Sequence, residues 1–159
     1  MRLPKLTAFL LSLSIFIIFS CGKSTEETEK ENIYYGRALP MTGAQETPPV
    51  TTSATGSIDA NYNRLTKTLS YKVTFSGLSG TGATAAHIHG LGEVGVKADV
   101  LQTFIGFPAV TSGTYSGSLL IDGTKFTEEY LLGSRYYINI HTALNAGGEI
   151  RGQLILKKE

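Results

Sequence analysis

Residues 69–78 read LSYKVTFSGL, and their alternation decides the fold class. Leu69, Tyr71, Val73 and Phe75 fall at every second position, with Ser70, Lys72 and Thr74 between them. Successive side chains of a strand point to opposite faces, so this pattern predicts a half-buried β-strand with one apolar and one solvated face. Just upstream, GSIDANYN (56–63) repeats the alternation with Ile58, Ala60 and Tyr62, and NYNRLTKT (61–68) reads as the hairpin connection between the two. Working outward, IYYGRAL (33–39), TAAHIHG (84–90), VKADVLQTF (96–104) and TYSGSLLID (114–122) read as further strands. YYINIHT (136–142) and GEIRGQLIL (148–156) close the chain as two strands around ALNAGG. PMTGAQETPPV (40–50) reads as a loop, because Pro48 and Pro49 exclude regular pairing. TEEYLLGS (127–134) is the one helical segment, with Thr127 as N-cap, Glu128 and Glu129 in the first turn and Gly133 as the stop. The expectation is an all-β domain, a sandwich or barrel of about seven or eight strands with one short helix.

Composition agrees. The chain has 159 residues, 18 of them glycine, with 17% charged residues and a formal net charge of +1. That length suits one domain with a modest core, and the charge balance gives no basic footprint for nucleic acid. The N-terminus is separate from the fold. Arg2 and Lys5 precede an apolar run from Leu6 to Phe19, interrupted only by Thr7, Ser12 and Ser14. This run is short for a membrane span and fits a signal-peptide core over residues 1–20. It ends in FSCGKS (19–24), where Cys21 is the single cysteine of the chain. That arrangement resembles a bacterial lipobox. The resemblance implies lipidation of Cys21, cleavage before it and display at the cell envelope, at the outer membrane or cell surface. GKSTEETEKEN (22–32) carries no large apolar group, so residues 21–32 read as the lipidated cysteine and a tether, and 33–159 as the domain. With the one cysteine acylated, no disulfide can form, and the fold must rest on its core or on a metal.

Two of the three histidines, His87 and His89, stand two apart in AHIHG (86–90). In a strand they project to one side together, with Ile88 on the core side. Their Cα atoms would be about 6.5–7 Å apart, a span one metal ion can bridge. The third, His141, shares a face with Tyr137 and Asn139, opposite Ile138 and Ile140. A turn centred on residues 145–147 would set His141 opposite or next to Arg151, with Glu149 on the diagonal. The hairpin would then carry a polar stripe of Asn139, His141, Glu149, Arg151 and Gln153. Three imidazoles suit zinc or copper, and a buried hydrogen-bonded network is the alternative use of the same residues. No serine lies in a nucleophile-elbow pattern, so hydrolytic chemistry finds no support.

LPMTGAQETPPV (39–50), AHIHG (86–90) and YINIHT…NAGGEIRGQL (137–154) together resemble the CHRD domain, the module named after chordin, over residues 36–156. The resemblance implies a Greek-key, immunoglobulin-like β-barrel and a non-catalytic binding module. It also suggests a structural network in which Glu46, Asn139, Glu149 and Arg151 take part, with Arg151 pinning the loop that carries Glu46. The histidines are also similar, more weakly, to those of copper/zinc superoxide dismutase, through the H-x-H pair, Asn145–Ala146–Gly147 and Arg151. With three histidines in the chain, that likeness implies at most one mononuclear site at His87, His89 and His141. The sequence-level reading is therefore an envelope-anchored binding module with an unnamed protein partner. The alternative is a copper- or zinc-binding envelope protein, with superoxide-dismutase-like redox activity behind it.

Overall fold

A computed structural model describes residues 31–158. It is built on strands β1 (Ile33–Thr42), β2 (Thr55–Asn63), β3 (Thr68–Ser76), β4 (Ala83–Gly90), β5 (Asp99–Thr103), β6 (Gly113–Leu120), β7 (Tyr136–Thr142), β8 (Ile150–Gln153) and β9 (Lys157–Lys158). Among the described residues one short α-helix, α1 (Glu128–Leu132), precedes β7. The all-β architecture expected from the alternation is present. The pairings are antiparallel and run β5-β4-β7-β8-β1-β2-β3-β6, with β9 on β1. Only Thr42↔Arg151 joins β1 to β8, so the sheet turns a corner there and curls into two facing halves.

The alternating apolar residues fill the space between those halves. Ile58, Val73 and Phe75 from one half meet Ile88, Ile138, Ile140 and Ile150 from the other, all 2% exposed or less. Burying each such side chain contributes roughly 1.5–3 kcal/mol. The end strands β5 and β6 are bridged by aromatic rings rather than by a ladder. Phe104, just after β5, stacks on Tyr71 at 5.1 Å and on Tyr115 at 4.9 Å between centroids.

Two elements differ from the sequence reading. β1 does not stop at Leu39 but runs through Pro40 and Met41 to Thr42, past a bulge between Gly36 and Leu39. Among the described residues, 36–41 have no ladder partner on the side away from β2, and a proline, which lacks an N–H, is tolerated where no ladder bond is needed. The final segment is split: β8 ends at Gln153, and Lys157–Lys158 pair separately with β1. Helix α1 is capped as expected, Thr127 accepting from Tyr130 N at 3.3 Å. Its left-handed exit residue is Ser134 (φ 56°), while Gly133 keeps φ −78°.

Candidate metal centre

Register builds the site. β4 and β7 pair with His87↔Asn139, Ile88↔Ile138 and His89↔Tyr137, and β7 and β8 pair with Asn139↔Arg151. Residues directly opposite across an antiparallel pair share a face. Ile88 and Ile138 therefore enter the core, while His87, His89, Tyr137, Asn139 and Arg151 stand on the outer face. That face is only partly open to water, at the half-buried His87 and His141. The loops 43–50 and 91–98 fold over it, tied together by Thr47 Oγ1 donating to Gly95 O at 3.2 Å. His89 is 6% exposed, Asn139 2% and Arg151 1%, so the sheet carries a second, polar layer on its outside.

Within that layer the three histidines meet. One ring nitrogen from each of His87, His89 and His141 lies within 4.8 Å of the others. His89 Nδ1 donates to Ala98 O at 2.9 Å and His141 Nδ1 donates to Ala146 O at 2.9 Å. A neutral imidazole that donates from Nδ1 carries its lone pair on Nε2. Both Nε2 atoms face Asn139 Oδ1, at 3.0 and 2.9 Å, and His87 Nδ1 lies 2.9 Å from His141 Nε2. Burial, then the neighbouring charges of His141 and His89, pushes the His87 pKa down to about 4. Burial lowers that of His141 as well. These two rings therefore favour the neutral form that a metal requires.

The supporting shell is equally specific. Tyr137 stacks parallel on His89, with centroids 4.7 Å apart, and Arg151 lies over the other face of the Tyr137 ring at 3.5 Å. Arg151 donates to Val96 O, Glu93 O and Gln153 Oε1, each at 2.9 Å. It thus holds the 91–98 loop that presents Ala98 O to His89. Glu46 is buried against this layer, its carboxyl beside Asn139 at the Gly148 position, with the charge of Arg151 acting on it. Burial raises its carboxyl above the usual value.

A comparison with known families bears directly on this arrangement. The family model of the CHRD domain matches residues 38–154, which include both covering loops, all three histidines and Arg151. The chain belongs to the CHRD domain family. Curated relatives include chordin from Danio rerio, 29% identical over 122 residues, and chordin from Xenopus laevis, 31% identical over 126. Each alignment covers 73% of this chain and 12% of the relative, so the chain spans about an eighth of their length. No solved structure matches the chain.

The motifs of this CHRD domain take up distinct tasks. AHIHG and INIHT meet, as the family resemblance implied, with His141 beside the pair. Arg151 does stabilise a loop, but its hydrogen bonds go to residues 93 and 96 rather than to the loop of Glu46. Asn139, not His141, stands opposite it. Glu149 leaves the expected stripe altogether. It lies in the bend before β8, fully buried, and its carboxylate accepts from Thr52 Oγ1 and Ser79 Oγ, each at 2.7 Å, and from Ser79 N at 3.1 Å. Burial raises its pKa, yet the bonds from Ser79, Thr52 and Thr142 outweigh that and hold it below the ordinary carboxylate value. Gly148 (φ 122°) is required at the turn, since a Cβ there would meet Glu46 Oε1. Gln45 anchors the covering loop by donating to Pro40 O at 2.7 Å. The carbonyls of Ala98 and Ala146 carry no sequence signal, because any residue supplies one. The lipidation reading of Cys21, with the signal peptide and most of the tether, lies outside the described residues.

Proposed function

We propose that this CHRD domain is a metal-binding module that holds one zinc or copper ion between His87, His89 and His141. The observation that carries the reading is the pair of imidazoles whose Nδ1–H groups are committed to Ala98 O and Ala146 O, leaving both Nε2 lone pairs facing a common point. A backbone or carboxylate acceptor on the far nitrogen is the usual support of a metal-ligating histidine. Metal–nitrogen bonds of 2.0–2.1 Å need donor separations of about 3.3 Å in a tetrahedron, so the three nitrogens, within 4.8 Å of one another, would have to draw in around the ion. A second reading, hydrogen bonding alone, is favoured by the 2.9 Å contact of His87 with His141. The full chain, purified in detergent and dialysed against zinc or copper, separates the two. Metal retained by the wild type and lost in His89→Ala supports the site; equal content in both rejects it. Turnover of superoxide by the loaded chain would move the reading from binding to redox catalysis.

The module is displayed at the bacterial cell envelope by a lipid on Cys21, at the outer membrane or cell surface, where it engages a protein partner. Membership in the CHRD family supports a binding role. FSCGKS and the apolar run before it support the anchor. Cys21→Ser is expected to move the chain from the detergent phase to the aqueous phase in detergent partitioning. An unchanged distribution rejects lipidation.

A further inference from the structure

Resting on the three-histidine reading, we infer that Asn139 supplies the fourth donor and closes the metal site. Its Oδ1 lies 3.0 Å from His89 Nε2 and 2.9 Å from His141 Nε2, within a few tenths of an ångström of the spacing of neighbouring ligands around a tetrahedral ion. The amide nitrogen of Asn139 lies against the Gly148 position together with Glu46 Oε1, so the nitrogen is on the Glu46 side and the oxygen on the histidine side. His87 Nδ1 can donate to the His141 Nε2 lone pair, but the His89 Nε2 lone pair and Asn139 Oδ1 meet acceptor to acceptor at 3.0 Å. Such a contact is costly when buried, and Asn139 is 2% exposed. A cation at the centre turns the same four atoms into a complete coordination shell.

The consequence is a change of chemical class. Three protein ligands leave a position for water or substrate, the mark of a catalytic site, whereas four protein ligands make a structural one. A three-nitrogen, one-oxygen set also suits zinc or divalent copper rather than soft monovalent copper. The ion then clamps β4 and β7 beneath the loop 43–50, in a chain whose one cysteine cannot form an internal disulfide.

The test uses the full chain in detergent, loaded with cobalt as a spectroscopic stand-in for zinc, with azide as the probe for an open position. The wild type is expected to show no spectral change with azide. Asn139→Leu is expected to take azide and to weaken zinc binding by at least about 100-fold, more than loss of an outer-shell partner costs. Asn139→Asp, which keeps an oxygen at the same place, should hold zinc within about tenfold of the wild type and exclude azide. It serves as the readout if the leucine variant fails to fold. Azide binding by the wild type, or equal zinc affinity in the wild type and Asn139→Leu, overturns the fourth-donor assignment and leaves the three histidines standing. A wild-type chain that binds neither zinc nor cobalt overturns the three-histidine reading and this inference with it.

Discussion

Replacing Glu149 with glutamine tests whether the buried carboxylate fastens the β7–β8 turn that presents Ala146 to His141. The carboxylate receives two short hydroxyl bonds, from Thr52 and Ser79 at 2.7 Å, and the Ser79 N–H lies 3.1 Å from each oxygen. Ser79 also accepts from Asn145 Nδ2 at 3.3 Å, so the clasp reaches into the turn. Bonds to a charged acceptor contribute about 1.5–3 kcal/mol each and neutral ones about 0.5–1.5. Losing the charge therefore costs about 1 kcal/mol at each hydroxyl. The amide NH₂ also meets the Ser79 N–H, donor against donor, for a total of about 2–3 kcal/mol. In a domain of this size that lowers Tm by roughly 8–12 °C. The pH dependence has a definite sign. The folded carboxyl titrates below its unfolded value of 4.5, so its contribution is present above that pH and is lost as pH falls through the folded pKa. Thermal melts by circular dichroism at pH 7 and pH 3 should show the wild type well above Glu149→Gln at neutral pH, with the gap narrowing in acid. A gap under about 2 °C at pH 7, or one that stays constant into acid, refutes the reasoning.

In the metal-free chain, His87 titrates near 4 while its unfolded form titrates near 6.5, so the unfolded state binds more protons between these values. Stability should fall as pH drops from 6.5 toward 4, and a chelator-treated chain should melt lower at pH 5 than at pH 7; equal melting contradicts this. Gly148→Ala places a Cβ on the Glu46 carboxylate at a φ of 122° and is expected to cost at least about 2 kcal/mol in denaturant unfolding. An unchanged midpoint shows that the turn and Glu46 do not press on each other. Arg151→Met leaves the Val96 and Glu93 carbonyls without their donor. Amide exchange should quicken in residues 91–98 while the core strands stay protected, and uniform exchange in wild type and variant would deny Arg151 its hold on that loop.

The inward face was legible in the sequence because a period of two needs no tertiary information. Leu69, Tyr71, Val73 and Phe75 are all buried on one side of β3, and Ile88 lies in the core between two imidazoles that share the other side. That His141 joins them follows from β7 pairing with β4, a crossover past β5 and β6 that local periodicity does not encode. The polar stripe was half legible. Asn139, Arg151 and Gln153 alternate as expected, but residues 143–149 are irregular, which sets Asn139 rather than His141 opposite Arg151 and turns Glu149 toward Ser79. Nor does an outward face rich in polar residues announce that it is buried. The loops 43–50 and 91–98 supply that cover, and their fit depends on backbone carbonyls, which any sequence provides.

Metal content per chain tests the central claim most directly. Full chain dialysed against zinc, freed of excess and measured by elemental mass spectrometry should carry about one ion per chain, the capacity of a single four-donor site. His141→Ala prepared in the same way should carry none. No zinc in the wild type, or the same zinc in both, would contradict the account.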